Sequence, residues 1–222
     1  MKLSVIFVLN KTKINNMKFK SIIMSLAVAT MLFTACNDGK KKEAEAKAEA
    51  EKMEMEAQKK AEEEAMMAKK EFEQNTIASK AMNNQSMSTL VSALKQAGLA
   101  QTFMEEGEYT VFAPTNEAFE AVPKKNMDNL MMDENKTQLQ GVLKYHVVSG
   151  EWTGDALMKA IKDNDNKYRV TTLQGENIIL SMKDDKIMIK DAKGNTATVV
   201  NANMDASNGV VHSIDKVLMP KA

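Results

Sequence analysis

The pattern of apolar and polar residues divides the chain into four stretches. Residues 21–33 form an apolar run, and residues 40–74 are almost entirely Lys, Glu, Ala, Met and Gln. From about residue 88 to residue 161 apolar residues recur at spacings of three and four, which is typical of amphipathic helices. After Tyr168 the period becomes two, which indicates strands. Helices followed by strands predict an α+β domain.

Four helices are predicted in the region of helical spacing. Leu90, Val91, Leu94 and Leu99 lie on one side of the first, which Gly98 helps to end. Ser86 or Ser88 can cap its beginning. The other three cover residues 115–119, with Thr115 as the capping residue, residues 137–145 and residues 155–161.

Strands are predicted on both sides of these helices. Pro114 and Thr115 break the first strand, and Asp184-Asp185 joins two strands in a hairpin. The predicted strands cover residues 108–113, 145–148, 169–173, 177–182, 186–190, 197–201 and 209–219.

The first 36 residues have the organisation of a signal peptide that ends at a cysteine. Residues 17–20 carry two lysines, residues 21–33 are apolar, and small residues precede Cys36. The apolar run is shorter than the roughly 20 residues that a transmembrane helix needs. Phe33-Thr34-Ala35-Cys36 resembles the lipobox of bacterial lipoproteins, in which the cysteine is acylated. Cys36 is therefore the predicted lipidation site. The alternative is a buried structural cysteine at the end of a core helix, but nothing nearby caps or continues a helix.

These features predict three segments. Residues 1–35 are a signal peptide, and because Met17 alone begins a complete one, residues 1–16 are interpreted as a mis-assigned start. Residues 36–75 comprise the lipidated cysteine and a charged helical spacer, and residues 76–222 form the domain. A spacer of 35 helical residues would reach about 50 Å. Its apolar stripe is mostly alanine, which favours a semi-rigid spacer over the alternative, a coiled coil.

Composition excludes several classes of function. The chain has 30 basic and 30 acidic residues, but Arg169 is its only arginine, which disfavours a nucleic-acid partner. Cys36 is the only cysteine and His146 and His212 are the only histidines, so zinc sites with two thiolates or three histidines are excluded. Residues 163–174 begin like a calcium loop but lack its glycine and its final glutamate. No metal, cofactor or catalytic residue is predicted, and the chain is not expected to be an enzyme.

Three motifs are spread over residues 76–220. Residues 109–119 read YTVFAPTNEAF and resemble the first signature of the fasciclin domain, and residues 143–148, LKYHVV, resemble its central Tyr-His segment. Residues 208–220, NGVVHSIDKVLMP, resemble its closing signature. The motifs stand in the family's order. The resemblance implies a wedge of strands packed against several helices, and an adhesion or binding role outside the cytoplasm without catalysis.

The resemblance also assigns roles to particular residues. Tyr145 and His146 are the candidate binding residues, because the same segment is associated with receptor engagement in animal relatives. A buried Tyr-His hydrogen bond between helix and strand is the alternative, and we favour it for this pair. Structural roles are expected for the remaining motif residues, which are Thr110, Val111, Phe112, Ala113, Pro114, Thr115, Asn116, Phe119, His212 and Asp215.

The sequence therefore predicts a lipid-anchored envelope protein of a Gram-negative bacterium. Acyl chains on Cys36 would hold it on the outer membrane, at the periplasmic face or at the cell surface. There it would present a fasciclin-like domain for cell adhesion or contact with the extracellular matrix, through an unidentified protein or polysaccharide ligand. The alternative is a periplasmic protein that binds a protein partner or a small apolar ligand without adhesion.

Overall fold

A computed structural model describes residues 39–221. The predicted signal segment and Cys36 lie outside these residues. By its internal contacts the chain divides into residues 1–56 and residues 57–222. The helices are α1 (Gly39–Gln74), α2 (Ile77–Met82), α3 (Ser88–Ala97), α4 (Asn116–Glu120), α5 (Lys124–Leu130), α6 (Lys136–Tyr145) and α7 (Gly154–Asp163). The strands are β1 (Tyr109–Pro114), β2 (Val147–Ser149), β3 (Tyr168–Thr171), β4 (Asn177–Lys183), β5 (Lys186–Lys190), β6 (Thr196–Ala206) and β7 (Gly209–Ile214).

Helix α1 spans Gly39–Gln74, within the segment that the sequence predicts to be a helical spacer. The side chains of residues 51–71 are exposed, so burial contributes little to this part of the helix. Its stability comes from residue types with high helix propensity and from charge pairs such as Lys69 with Glu73, whose Nζ and Oε1 are 3.9 Å apart. None of the helices described between residues 39 and 221 is long and apolar enough to cross a membrane.

A mixed sheet of seven strands organises the domain. Its order is β2-β1-β7-β6-β5-β4-β3. Strands β1 and β7 run parallel, and the other neighbouring strands are antiparallel. The two edges approach each other, because Val148 pairs with Thr172 and the Leu173 N–H donates to the Val147 carbonyl at 2.7 Å. The sheet therefore curls until strand β2 meets the chain that follows β3.

The curled sheet has a hydrophobic cluster on each of its two faces. Val111 and Ala113 of β1 belong to the cluster that the sheet shares with helices α2, α3 and α6. Phe112, between them, belongs to the second cluster together with Ile178 and Leu180 of β4. Because alternate residues of a strand point to opposite faces, a central strand buried on both sides has to be apolar throughout, as residues 111–113 are.

Asn208 and Gly209 fix the beginning of β7. The Asn208 side chain is 1% exposed. Its Oδ1 accepts the Ile77 N–H at 2.8 Å, and its Nδ2 donates to the Phe103 and Glu105 carbonyls at 2.9 Å each. Gly209 has a φ of +148°, and a Cβ there would lie 1.8 Å from the Tyr109 carbonyl oxygen. Only glycine allows this approach of β7 to β1.

The fold confirms the α+β class and the existence of the predicted helices and strands, and it corrects several boundaries. Tyr145 is the last residue of α6 and His146 caps it, so the strand predicted at 145–148 is Val147–Ser149. Strand β7 ends at Ile214, not at residue 219. Helices α2 and α5 were not predicted, because six and seven residues are too few to show a helical period.

The predicted N-cap of α3 was wrong. Neither Ser86 nor Ser88 caps this helix with its side chain. Instead Asn116, from the beginning of α4, accepts the Thr89 N–H on Oδ1 at 3.0 Å. A cap supplied across 27 residues of sequence has no local pattern that could reveal it.

Replacing Asn208 by alanine should destabilise the domain strongly. The buried Ile77 N–H and two carbonyls would lose their partner, and one unsatisfied buried group costs about 1–3 kcal/mol. We expect the free energy of unfolding to fall by about 3 kcal/mol or more, measured in urea with Trp152 fluorescence as the probe. Asn83→Ala, at an exposed asparagine, is the matched control. Equal stability of the two variants would contradict this role of Asn208.

Candidate functional site

The three motifs meet around His146, at the end of α6. The Phe112 N–H of the first motif donates to the His146 carbonyl at 2.9 Å. The Leu218 N–H of the closing motif donates to His146 Nε2, also at 2.9 Å. His146 Nδ1 lies 2.8 Å from the Val142 carbonyl. Because Nε2 accepts the hydrogen bond from the Leu218 N–H, it carries no proton. The single ring proton is therefore on Nδ1, and the imidazole is neutral.

The environment of His146 keeps the imidazole uncharged. The side chain is 2% exposed, and burial lowers the pKa of His146 from its ordinary value of 6.5 to about 4. A proton added to Nε2 would face the Leu218 N–H directly. The ring therefore works as a neutral connector between α6 and the chain after β7.

Tyr145 connects α6 to the other end of the sheet. The ring is fully buried in the second hydrophobic cluster. Its hydroxyl donates to the Asn177 carbonyl at 3.1 Å and accepts the Ala192 N–H at 2.8 Å. Burial raises the pKa of Tyr145 to about 12. Tyr145 and His146 thus have separate partners, so the predicted hydrogen bond between the two side chains was wrong.

His212 and Thr110 form a third group of buried polar contacts. His212 is fully buried, and its ring stacks on Phe112 with centroids 5.8 Å apart. His212 Nε2 lies 2.7 Å from the Trp152 carbonyl, and Nδ1 accepts the Asn203 N–H at 3.3 Å. Thr110 donates to the Gly150 carbonyl and accepts the Trp152 N–H. These contacts fasten the loop after β2 to the central strands.

Thr115 and Asn116 hold helix ends. Thr115 Oγ1 accepts the Ala118 N–H at 3.3 Å and caps α4, as predicted. Asn116 Nδ2 donates to the Gln85 carbonyl at 2.9 Å while its oxygen caps α3. The pair therefore positions two helices relative to strand β1.

The other motif residues lie in or beside the sheet. Asp215 Oδ1 accepts the Thr198 N–H at 2.6 Å and continues the pairing of β6 beyond the end of β7. The rest are buried, namely Val111, Phe112, Ala113, Pro114 and Phe119. Tyr145 and His146 are likewise enclosed, so a ligand at the surface would meet other residues. Within residues 39–221 no group of three His, Cys, Asp or Glu side chains could hold a metal ion.

The surface has two adjoining depressions. The first, of about 580 Å³, lies between helices α4 to α6 and the chain after β7. Leu130, Val142 and Val217 contribute apolar surface, and the cations Lys193 and Lys216 also line it. No acidic residue is among the described residues that line it.

The second depression, of about 940 Å³, lies over the ends of β3, β4 and β5. Four of its lining residues are cationic, namely Arg169, Lys190, Lys193 and Lys221. Lys193, in the β5–β6 turn, lines both depressions, so the two adjoin at that residue.

Sequence reasoning missed these depressions. Alternation along the strands predicts that Arg169 and Lys190 point outward. It does not predict that they lie side by side across the sheet, because that depends on the register that pairs both residues with Ile179. Lys216 and Lys221 follow β7, where no period indicates their position. The sequence does show several lysines just before Gly194 and near residue 220. Their positions in the sequence do not reveal that the side chains lie close together in the fold.

Two variants of Tyr145 separate its ring from its hydroxyl. Tyr145→Ala should lower the free energy of unfolding by about 3–5 kcal/mol, because a fully buried aromatic ring is lost. Tyr145→Phe should cost about 1–2 kcal/mol, because the ring stays and the Ala192 N–H loses its partner. Urea unfolding measures both. A midpoint close to that of the unchanged protein for Tyr145→Ala would contradict burial.

His146 should make stability depend on pH. Above pH 6.5 the ring is neutral in both states, and its contribution is fully present. As pH falls from 6.5 towards 4 only the unfolded chain takes up the proton, so about 3 kcal/mol of stability is lost across this window. His146→Gln cannot titrate, so this variant lacks the pH-dependent loss of stability that His146 causes.

The readout is the difference in unfolding free energy between the unchanged protein and His146→Gln. It should shrink by about 1.4 kcal/mol per pH unit between pH 6 and pH 4.5. Taking the difference cancels the pH-dependent contributions of the carboxylates and of His212, whose pKa is also lowered by burial. A difference that stays constant over this range would contradict the prediction.

Known proteins resemble the domain in sequence. The chain is 41% identical over 145 residues to Protein sll1483 of Synechocystis sp., covering 65% of this chain and 73% of that protein. It is 35% identical over 151 residues to the cell surface glycolipoprotein MPT83 of Mycobacterium tuberculosis, with 66% and 61% covered. It is 37% identical to the transforming growth factor-beta-induced protein ig-h3 of Sus scrofa. The match covers only 20% of that protein.

A solved structure has the same fold. The FAS1 domain pair of the insect cell adhesion molecule Fasciclin I matches with a TM-score of 0.57 at 18% identity, covering 66% of this chain and 51% of that one. The family model of the fasciclin domain matches residues 85–220, which include all three motifs. The chain belongs to the fasciclin family.

Proposed function

We propose that the chain is a lipid-anchored outer-membrane protein of a Gram-negative bacterium that presents its fasciclin domain for adhesion or contact with the extracellular matrix. The observation that carries the proposal is the lipobox-like motif ending at Cys36, ahead of a helical spacer and a domain of this family. Each part has a separate physical role in the proposal.

The anchor would be acyl chains on Cys36. Each buried methylene adds about 0.8 kcal/mol of membrane affinity, and two or more chains are needed for stable attachment. Cys36 is the only cysteine of the chain, so no other thiol competes for the modification. A relative described as a cell surface glycolipoprotein, MPT83, matches over the domain at 35% identity and supports an envelope location.

The adhesion role rests on the family and on the difference between the buried motif residues and the exposed surface of the domain. The solved relative is described as part of a cell adhesion molecule. In this chain the motif residues of β1 and β7 are mostly buried and pack the fold. Contact with a partner would therefore use the exposed surface outside the motifs, and Tyr145 and His146 would act by holding that surface in place.

Lipidation can be tested with an alkyne fatty acid that labels acylated proteins in growing cells. The unchanged protein should take up the label and fractionate with membranes, whereas Cys36→Ala should lose both properties because its only thiol is gone. Lys41→Gln, five residues away in the spacer, is the control and should be labelled normally. An unlabelled, freely soluble full-length chain would end the proposal.

Exposure at the cell surface is tested on the same cells with protease. Cleavage of the domain on intact cells supports adhesion. Protection until the outer membrane is permeabilised would contradict adhesion and support a periplasmic binding role instead.

A further inference from the structure

We propose that the two adjoining depressions bind one acidic polysaccharide, with its carboxylate or sulfate groups on the cations and its hydroxyl groups on neutral side chains between them. This inference deepens the proposed function by giving the chemistry of the partner. Its location outside the cell rests on that function, whereas the binding itself is a property of the domain.

The cations form a continuous strip. Arg169 on β3 and Lys190 on β5 both pair with Ile179 on β4, so they share one face of the sheet about 10 Å apart. Lys193 and Lys221 line the same depression, and Lys193 continues into the first depression beside Lys216. All five side chains are exposed, and neither of the ion pairs found on the domain side of the chain, Lys69 with Glu73 and Lys159 with Asp163, involves them. Their charge is therefore available to a ligand.

The acids of the depressions are already engaged. Asp191 is 5% exposed, and its two oxygens accept from the Asn195 backbone and side chain and from the Met219 N–H, at 2.7 to 3.1 Å. Glu176 Oε2 accepts the Lys221 N–H at 3.0 Å. Two acids against five cations leave the strip positive, and a positive concave surface concentrates anionic ligands.

The shape of the strip favours a chain over a membrane. A bilayer presents a broad layer of headgroups, whereas the five cations follow a line through two open depressions. An extended polymer can lie along both of them and pass Lys193 where they join. Separate charges along such a polymer would then meet separate cations.

The remaining lining residues favour sugars over nucleic acids. No aromatic side chain is among the described residues that line either depression, and stacking on aromatic rings is the usual means of holding single-stranded bases. The strip contains one arginine, so bidentate phosphate contacts are limited. Neutral groups that can donate and accept hydrogen bonds line it instead, including Asn126, Gln138, Thr196 and Asn177. These suit the hydroxyl groups of a sugar chain.

The test measures binding of the full chain in detergent micelles to polygalacturonate, with Kd determined at 50 and 200 mM NaCl. The variant Lys190→Gln/Lys193→Gln/Lys221→Gln should bind about tenfold more weakly at 50 mM NaCl, since three exposed charge contacts of modest strength are lost. Its affinity should also depend less steeply on salt.

The matched control is Lys95→Gln/Lys183→Gln/Lys186→Gln. It removes the same charge, and two of its changes lie at the opposite ends of β4 and β5. Its affinity should stay within about twofold of the unchanged protein. Equal losses in the two variants would show that only net charge matters and would overturn the site.

Three further probes compete with polygalacturonate, namely neutral dextran, phosphatidylglycerol vesicles and a thymidine oligonucleotide. Preference for polygalacturonate over all three supports the proposal. Tighter binding to vesicles or to the oligonucleotide would overturn it, as would the absence of binding to polygalacturonate at 50 mM NaCl. These results do not depend on acylation of Cys36 or on exposure at the cell surface, so failure here is distinguishable from failure of the proposed function.

Discussion

The parallel pairing of β1 with β7 is the constraint on which the rest of the domain depends. The two strands are separated by about 100 residues of sequence, and their register runs from Tyr109 with Gly209 to Pro114 with Ile214. Gly209 allows the close backbone approach, and Asn208 ties the same point to α2 and to the loop before β1. Because closing so long a loop costs entropy, several buried hydrogen bonds are concentrated where the two strands begin.

This pairing explains why three distant motifs identify the family. The first and last motifs contain the neighbouring strands β1 and β7, and the central motif lies at the end of α6. Its His146 contacts both of the others, because the carbonyl accepts the Phe112 N–H and Nε2 accepts the Leu218 N–H. The signature therefore encodes how the domain closes, and it carries no information about a ligand. Fold and ligand are separable in this way when the motif residues serve packing and hydrogen bonding. In the proposed polysaccharide site, specificity would come from surface residues such as Lys193 and Lys216.

Local chemistry made most of the fold predictable from the sequence. The hairpin at Asp184-Asp185, the cap at Thr115 and the end of α3 at Gly98 depend on neighbouring residues, and all three are found. The failures involve distant partners. Asn116 caps α3 from another helix, and the last strand stops at Ile214, after which the Leu218 N–H donates to His146 Nε2. The depressions need the register of three strands and the path of the chain after β7, which periodicity alone cannot supply.

Net charge would have hidden the basic strip. Residues 76–222 contain 16 basic and 18 acidic residues, so the domain as a whole is slightly negative and should not attract a polyanion. Salt screens charges beyond about 8–10 Å under physiological conditions, however, and a bound ligand responds to the groups within that distance. The ionisable residues that line the two depressions are five cations and two acids that already accept hydrogen bonds. The local arrangement therefore decides which partner can bind, and the sheet register creates that arrangement from residues that look unremarkable in the sequence.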